Sequence, residues 1–459
     1  MGRYQAVVGC IPERSSFNAG LILARTLQRR GHRVSIVGAA LPEFRAHVER
    51  HGLEFVGLGS PALQAQGAKA ASAGNPVRAM VEWHRAFLQL TRDLDELAQR
   101  IRPDLAFLDV LGTHPGAYLL SELRIPTFLF HGGMLTARFS TRYPPAWSPL
   151  VVPPEPAASG PWWRLRCLAA WGQARCQRRL KLLGARKAWV PSVMQAYATW
   201  RVRRHAARHG WRFAYGDWGP QPRLPEIVLG QRAFDWPQLH TADRCYLSGG
   251  LAARSEYDGG WAQGLDDARA LIYCVTSTMI RPADVFEPEG PPAVRKRARV
   301  LKGFLDAVVR IVAARADWQL VMACGPFART FDAARLPANV RVLERAPQTE
   351  VLQRAALMIT QAGAGAVREA VTFGVPMLMF PLWTDQFGNS ARAVYHGVGA
   401  RVDIGRLTST ELATTIDRLI GGPDVRAAVA RLARACAADA ADEEARLVEF
   451  IRRHAGLEI

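Results

Sequence analysis

Apolar residues recur along the chain in two alternating rhythms. Short runs such as 4–10 (YQAVVGC), 32–38 (HRVSIVG), 53–58, 105–109 and 127–130 read as buried strands. Between them lie stretches with helical spacing. In 19–30, Leu21, Ile22, Leu23 and Leu27 share one face and Gly31 closes the helix. Helices are also predicted over 44–51, 79–101 and 116–123. A second series follows the Pro/Gly-rich passage 216–237. It predicts strands 270–275, 318–322, 340–343, 357–360, 377–380 and 400–402, with helices 293–314, 350–355, 386–396, 409–420 and 425–453. Strand and helix alternating with short links predict parallel sheets covered on both faces. Two such units facing each other define a cleft, and ligands bind at the carboxyl ends of the strands.

The length agrees with two units, since 459 residues exceed one ordinary core. A hydrophobic content of 49% with 22% charged residues excludes a disordered chain. The seven cysteines are scattered and form no Cys-x-x-Cys pair, which argues against zinc or redox work and for a reduced, cytoplasmic setting. The first residues, MGRYQAVVGC, lack the apolar segment of a signal peptide. No apolar run approaches the roughly 18 residues that span a bilayer.

The net charge of +19 is concentrated. Residues 161–212 hold thirteen Lys and Arg, no Asp or Glu, and six of the thirteen tryptophans: Trp162, Trp163, Trp171, Trp189, Trp200 and Trp211. Cations with interleaved indoles suit the anionic inner face of a membrane, where the protein would be peripheral. A solvated helical face with core tryptophans, an anionic acceptor site and a nucleic-acid patch are the other readings. Nucleic acid is the least favoured of them, because the segment is a small part of an otherwise complete frame.

The candidate chemistry sits at 361–376, QAGAGAVREAVTFGVP. A strand running into Gly-x-Gly at a helix start offers free backbone N–H groups, the positive end of the helix dipole and no Cβ in the way. A phosphate or diphosphate is the natural guest. Close helix-to-strand packing is the competing explanation of the glycines.

The run from Ala346 to Gly399 carries Pro347-Gln348, Gly363, Glu369, Gly374-Val375-Pro376, Pro381, Asp385-Gln386, Asn389 and Gly397. In this order they resemble the donor-binding signature of family 1 (UDP-glycosyltransferase-like) glycosyltransferases. The likeness extends through Arg30-Gly31-His32, Pro103-Asp104, Asp109, Ile125-Pro126 and residues 226–237 (EIVLGQRAFDWP), and is weakest over about 140–225. It implies an α/β, GT-B fold: two facing Rossmann-like domains with parallel sheets and a cleft between them. The acceptor-binding domain would be 1–245 and the nucleotide-sugar domain 246–440. A C-terminal helix within 441–459 would pack back on the first.

The resemblance also implies roles. Gln348 would contact the base or ribose, Glu369 the ribose hydroxyls, and Gly363, Ala364, Gly365 and Ala366 the diphosphate. Asp385 and Gln386 would bind sugar hydroxyls, and Thr278 would face the phosphates. Arg345 stands where relatives carry a base-stacking Trp, and Gln361 where they carry a His at the diphosphate. Bland readings remain for Glu369, as a first-turn acid, and for Asp385, as a helix cap. The position of the catalytic His falls on Ser16, whose hydroxyl is too weakly basic to serve unaided. Asp109 matches the residue that orients that His and ranks first as the base, directly or through water. His131, with a structural reading beside it, and His114 are substitutes, or the acceptor is acidic enough to need no base. His32 and His396 read as structural.

The expected function is inverting transfer of a glucose-like sugar from a nucleotide-sugar donor, UDP-sugar ahead of dTDP-sugar, to a small hydrophobic, aromatic or lipid-like acceptor. No cofactor and no metal are expected, since a helix terminus supplies the positive field. The alternative is a catalytically impaired sugar-nucleotide-binding or auxiliary protein.

Overall fold

The computed structural model describes residues 3–11, 14–58, 96, 99–110, 120, 122–132, 139–145, 147–154, 157–184, 200, 203–216, 219–236, 242–248, 260–276, 292–383 and 385–457. The first sheet has seven parallel strands in the order β3-β2-β1-β4-β5-β8-β9. They are β1 (Gln5–Gly9), β2 (Arg33–Ala39), β3 (Glu54–Leu58), β4 (Leu105–Asp109), β5 (Thr127–His131), β8 (Glu226–Val228) and β9 (Arg244–Tyr246). A separate antiparallel hairpin joins β6 (Phe213–Gly216) to β7 (Gly219–Pro222). Every residue of β4 and β5 is buried, as a parallel sheet covered on both faces requires. Helices α1 (Arg14–Arg29) and α2 (Pro42–Glu49) cover one face, with Phe17, Leu23 and Leu27 in the core.

The second sheet has six parallel strands in the order β12-β11-β10-β13-β14-β15. These are β10 (Ala270–Val275), β11 (Trp318–Ala323), β12 (Val340–Leu343), β13 (Ala355–Thr360), β14 (Met377–Met379) and β15 (Gly399–Arg401). Its helices are α4 (Pro292–Ala313), α5 (Gln348–Leu352), α6 (Ala364–Phe373), α7 (Gln386–Tyr395), α8 (Ser409–Gly421) and α9 (Pro423–Ala440). The strand order reverses at β1/β4 in one sheet and at β10/β13 in the other, the switch points at which α/β sheets place ligands. Ser16 follows β1, Asp109 ends β4, and the glycine loop follows β13.

Three expectations change. The helix predicted over 19–30 begins at Arg14, which puts Ser16 in its first turn instead of a loop. The helix predicted over 425–453 breaks at Ala441-Asp442, and its second half, α10 (Glu443–Ala455), crosses to the other unit. There Leu447, Phe450 and Ile451 join the core of the first sheet. The break lets one amphipathic face be buried against each unit. The passage 216–237 contains β8, which with β9 extends the first sheet.

Between β5 and β6 in the chain comes α3 (Pro161–Gly184). Trp163 and Trp171 are buried and donate to the carbonyls of Arg142 and Tyr143 at 2.8 and 2.9 Å. Two of the tryptophans expected at an interface are therefore core residues. Among the described residues no helix is long and apolar enough to cross a membrane.

Candidate active site

The glycine loop is built on a conformational exception. Ala362 has φ 64, in the left-handed region that costs a Cβ-bearing residue about 1–2 kcal/mol. It is fully buried and held from both sides. Its N–H donates to Thr360 Oγ1 at 3.2 Å, and its carbonyl accepts from Asn389 Nδ2 at 2.9 Å. Gly363, which starts α6, has φ −62 and ψ 145, angles open to any residue. A Cβ added at Gly363 or Gly365 would meet nothing within 4 Å. Neither backbone strain nor packing therefore asks for these two glycines, which rules out the close-packing explanation. What they keep clear is space in front of the helix. The N–H groups of Ala364, Gly365 and Ala366 precede the first intrahelical bond, from Val367 N to the Gly363 carbonyl at 3.0 Å. They form the donor-rich end of the helix dipole. Gln361, one residue before Ala362, is buried behind the loop.

Beside this opening, Glu369 lies in the middle of α6, beyond the first turn, so the dipole reading of its carboxylate fails. Gln348, the first residue of α5, donates from Nε2 to Glu369 Oε2 at 2.5 Å and accepts at Oε1 from the Tyr273 hydroxyl at 3.4 Å. Burial raises the pKa of Glu369 above the ordinary carboxylate value, against the Gln348 hydrogen bond and the Arg368 charge, which lower it. Burial and the Glu369 charge push the Tyr273 phenol up. Arg345 is exposed after β12. Tyr273 had no signal in the sequence beyond its strand.

Asp385 stands at the N-cap of α7, but its backbone is αR and its side chain makes no cap hydrogen bond. The cap reading is therefore set aside. Its Oδ2 instead accepts from Asn389 Nδ2 at 3.1 Å, the amide that also fixes Ala362. Asn389 thus ties the Asp385 carboxylate to the glycine loop. Gln386 departs from expectation: it is buried and its Oε1 accepts the N–H groups of Leu382 and Trp383 at 2.8 and 3.1 Å. That oxygen shapes the turn and is not presented to a sugar. Thr278 and His114 lie outside the described residues.

Across the cleft, Ser16 Oγ donates to Asp109 Oδ2 at 2.5 Å and accepts from Ile11 N at 3.2 Å. Both side chains are buried, at 3% and 5% exposure. The structure therefore brings these two candidates together, with the serine covering a carboxylate oxygen. His131 is not brought to them. Side chains alternate along β4 and β5. Phe107 belongs to the α1-side core with Phe128 and Phe130, so Asp109 shares that face, while His131 shares the opposite one with Leu129. There its Nε2 is 3.9 Å from Glu226, which Arg244 binds at 2.8 Å. His131 is 1% exposed, and this geometry removes it as the substitute base. His32 accepts Tyr4 N at 3.5 Å, and His396 Nε2 meets the Phe234 carbonyl at 3.0 Å. Burial lowers the pKa of both.

The floor of the cleft is a buried polar seam between the units. Gln231 Nε2 donates to the Arg368 carbonyl and to Thr372 Oγ1, each at 2.7 Å. Asp235 accepts from Arg392 Nε at 2.9 Å and from the Tyr246 hydroxyl at 2.8 Å. A small cavity of about 20 Å³ is lined here by Gly230, Gln231, Asp235, Ala364, Arg368 and Arg392, among others. Of these, Gly230, Gln231 and Asp235 fall in the stretch 226–237, to which the sequence assigned no role.

Residues 329–458 match the family model described as UDP-glucoronosyl and UDP-glucosyl transferase. Human UDP-glucuronosyltransferase 2B7 is 32% identical over 126 residues, 26% of this chain and 24% of the relative. Oleandomycin glycosyltransferase of Streptomyces antibioticus is 31% identical over 129 residues, 28% of this chain and 30% of the relative. The chain thus spans only a quarter to a third of the length of these curated relatives. Among solved structures, the glycotransferase of kitacinnamycin covers 99% of this chain with all of its own, at a TM-score of 0.65 and 21% identity. The spinosyn rhamnosyltransferase complexed with thymidine diphosphate covers 97% with all of its own, at 0.60 and 18%. Two facing Rossmann-like units with this likeness define the GT-B fold. Over residues 329–458 the chain is similar to the family 1 UDP-glycosyltransferases, and over its whole length it shares their fold.

Proposed function

We propose that the protein transfers a sugar from a nucleoside diphosphate donor to a small hydrophobic, aromatic or lipid-like acceptor, with inversion at the anomeric carbon. The observation that carries this reading is the space in front of α6. Two glycines that neither packing nor backbone angles require keep three donor N–H groups open to an anion. The diphosphate of the donor sits there, and the helix terminus stabilises it as it leaves. Gln348 and Glu369 take the nucleoside end, where a carboxylate accepts two hydrogen bonds from a vicinal diol. Asp385, oriented by Asn389, takes the sugar hydroxyls. UDP is the favoured nucleotide, supported by the family match over 329–458; the thymidine diphosphate in the spinosyn enzyme makes dTDP the competitor to test.

Among the described residues the acceptor end has no histidine base. Ser16 and Asp109 are buried and already paired, so Asp109 can act on an acceptor through the serine hydroxyl. An acceptor whose oxygen is acidic, such as a phenol or carboxylate, carries its own charge to the anomeric carbon and removes the need for a strong base. Transfer assays with UDP-glucose and dTDP-glucose against phenolic, carboxylic and neutral alcohol acceptors test the reading, with the product anomer read by NMR. Turnover on ionisable acceptors with an inverted product supports it. The second reading, a sugar-nucleotide binder without turnover, is motivated by the same Ser16. Nucleotide-dependent stabilisation with no transfer to any acceptor is the outcome that would favour it.

A further inference from the structure

Helix α3 has two apolar faces, and among the described residues only one of them is covered. Trp163, Cys167 and Trp171 face inward; Trp163 and Cys167 share a buried cluster with Tyr143, Trp236 and Ala391. Because Ala391 lies on α7, this cluster fastens α3 to both units at the edge of the cleft. The opposite face is exposed yet equally apolar. Trp162 is 80% exposed, Leu165 55% and Leu168 40%, and Ala169, Gly172 and Cys176 continue the same side of the helix. Arg164 and Arg166 flank the stripe and are exposed. A soluble surface helix ordinarily shows its polar residues outward. Here the indole and leucines take that place.

We infer that the outer face of α3 docks on an anionic phospholipid bilayer. Charge selects the occupant. Residues 161–212 hold thirteen cations and no acid, so a second copy of the same face would meet like charge, whereas a sheet of lipid phosphates meets opposite charge. The apolar stripe selects lipid over a soluble polyanion. An indole and leucines gain by entering the acyl boundary while the flanking guanidinium groups stay at headgroup depth. Trp200, half exposed, with Arg204 stacked on its ring at 5.3 Å, adds a second element of the same composition from this segment. Seated this way, α3 holds the cleft edge against the bilayer, where an apolar acceptor is concentrated.

The test is co-sedimentation of the full-length protein with vesicles of phosphatidylglycerol and phosphatidylcholine, against phosphatidylcholine alone. No donor is present, so failure here leaves the sugar-transfer reading untouched. Binding is expected only to the anionic vesicles, and about fivefold weaker for each cation removed by Arg164→Gln or Arg166→Gln. It should fall at ionic strengths near ~0.5 M, where the screening length shortens. Trp162→Ala with Leu165→Ala should weaken binding at least about tenfold with an unchanged melting temperature, since both side chains are exposed and contribute little to the core. Equal binding to both vesicle types overturns the inference, as does no effect of the Trp162/Leu165 pair. It is also overturned if that pair instead abolishes a dimer seen by light scattering, or if the protein ignores vesicles and binds nucleic acid with a steep salt dependence.

Discussion

Replacing Gly365 by Ala separates stability from binding, because the two effects have opposite sign. Gly365 is the second residue of α6, and a Cβ there meets no atom of the protein within 4 Å. Ala is favoured over Gly in a helix by roughly 0.5–1 kcal/mol, partly by restricting the unfolded chain. The free variant should therefore melt slightly higher than the parent, by about 2–4 °C per kcal/mol for a unit of this size. The new methyl projects into the volume assigned to the diphosphate, among the donor N–H groups of Ala364, Gly365 and Ala366. A nucleotide present at one hundred times its dissociation constant stabilises the parent by about 2.7 kcal/mol. The variant should lose nearly all of that. Differential scanning fluorimetry with and without UDP reads both effects in one experiment, and Gly363→Ala, at φ −62, should repeat the result. A Gly365→Ala protein that is less stable without ligand, or that keeps the full UDP shift, refutes the reasoning that these glycines exist to clear space for an anion.

Three further outcomes follow from the same geometry. Burial raises the pKa of Glu369, so its ionised form destabilises the fold at pH values above that raised pKa and the cost vanishes as pH falls through it. Glu369→Gln should then be at least as stable as the parent at neutral pH while losing nucleotide affinity, and parent affinity should fall on acidification starting above the ordinary carboxylate value of 4.5; unchanged affinity in the variant would contradict the assignment. Asp109→Asn should reduce transfer to neutral alcohols more than to phenols or carboxylates, and Ser16→His should raise the neutral-alcohol rate; equal loss on all acceptors would contradict the self-activated acceptor. Arg392→Ala leaves the Asp235 carboxylate buried with the Tyr246 hydroxyl and the Trp236 N–H but without its cation, and should cost about 3–5 kcal/mol in denaturant unfolding; a loss under about 1 kcal/mol would show that the seam between the units is not held by this pair.

The parallel sheets were legible because buried strands leave unbroken apolar runs, as in LAFLD and ALIYCV, whose bounds of 105–109 and 270–275 match β4 and β10. The short strands β8 and β9 were not, because three residues among prolines and charges carry no period. The start of α1 was missed for a related reason: Arg14, Ser15 and Ser16 form its first turn without an apolar signal. At the site, residue types at motif positions were readable but their partners were not. Nothing in QAGAG tells that the left-handed residue is Ala362, since its carbonyl is fixed by Asn389 from another helix. The Gln386 oxygen turned toward its own loop, and strand alternation placed His131 on the far face from Asp109. Both follow from three-dimensional neighbours that spacing alone does not encode.

The central claim is that a nucleoside diphosphate is held chiefly through its phosphates at the start of α6. Isothermal titration of the protein with uridine, UMP and UDP tests it most directly. The account predicts one site per chain and affinity rising steeply along that series, with the UDP step abolished in Gly365→Ala and the weak uridine binding retained. Uridine binding as tightly as UDP, or UDP binding unchanged by Gly365→Ala, would contradict it.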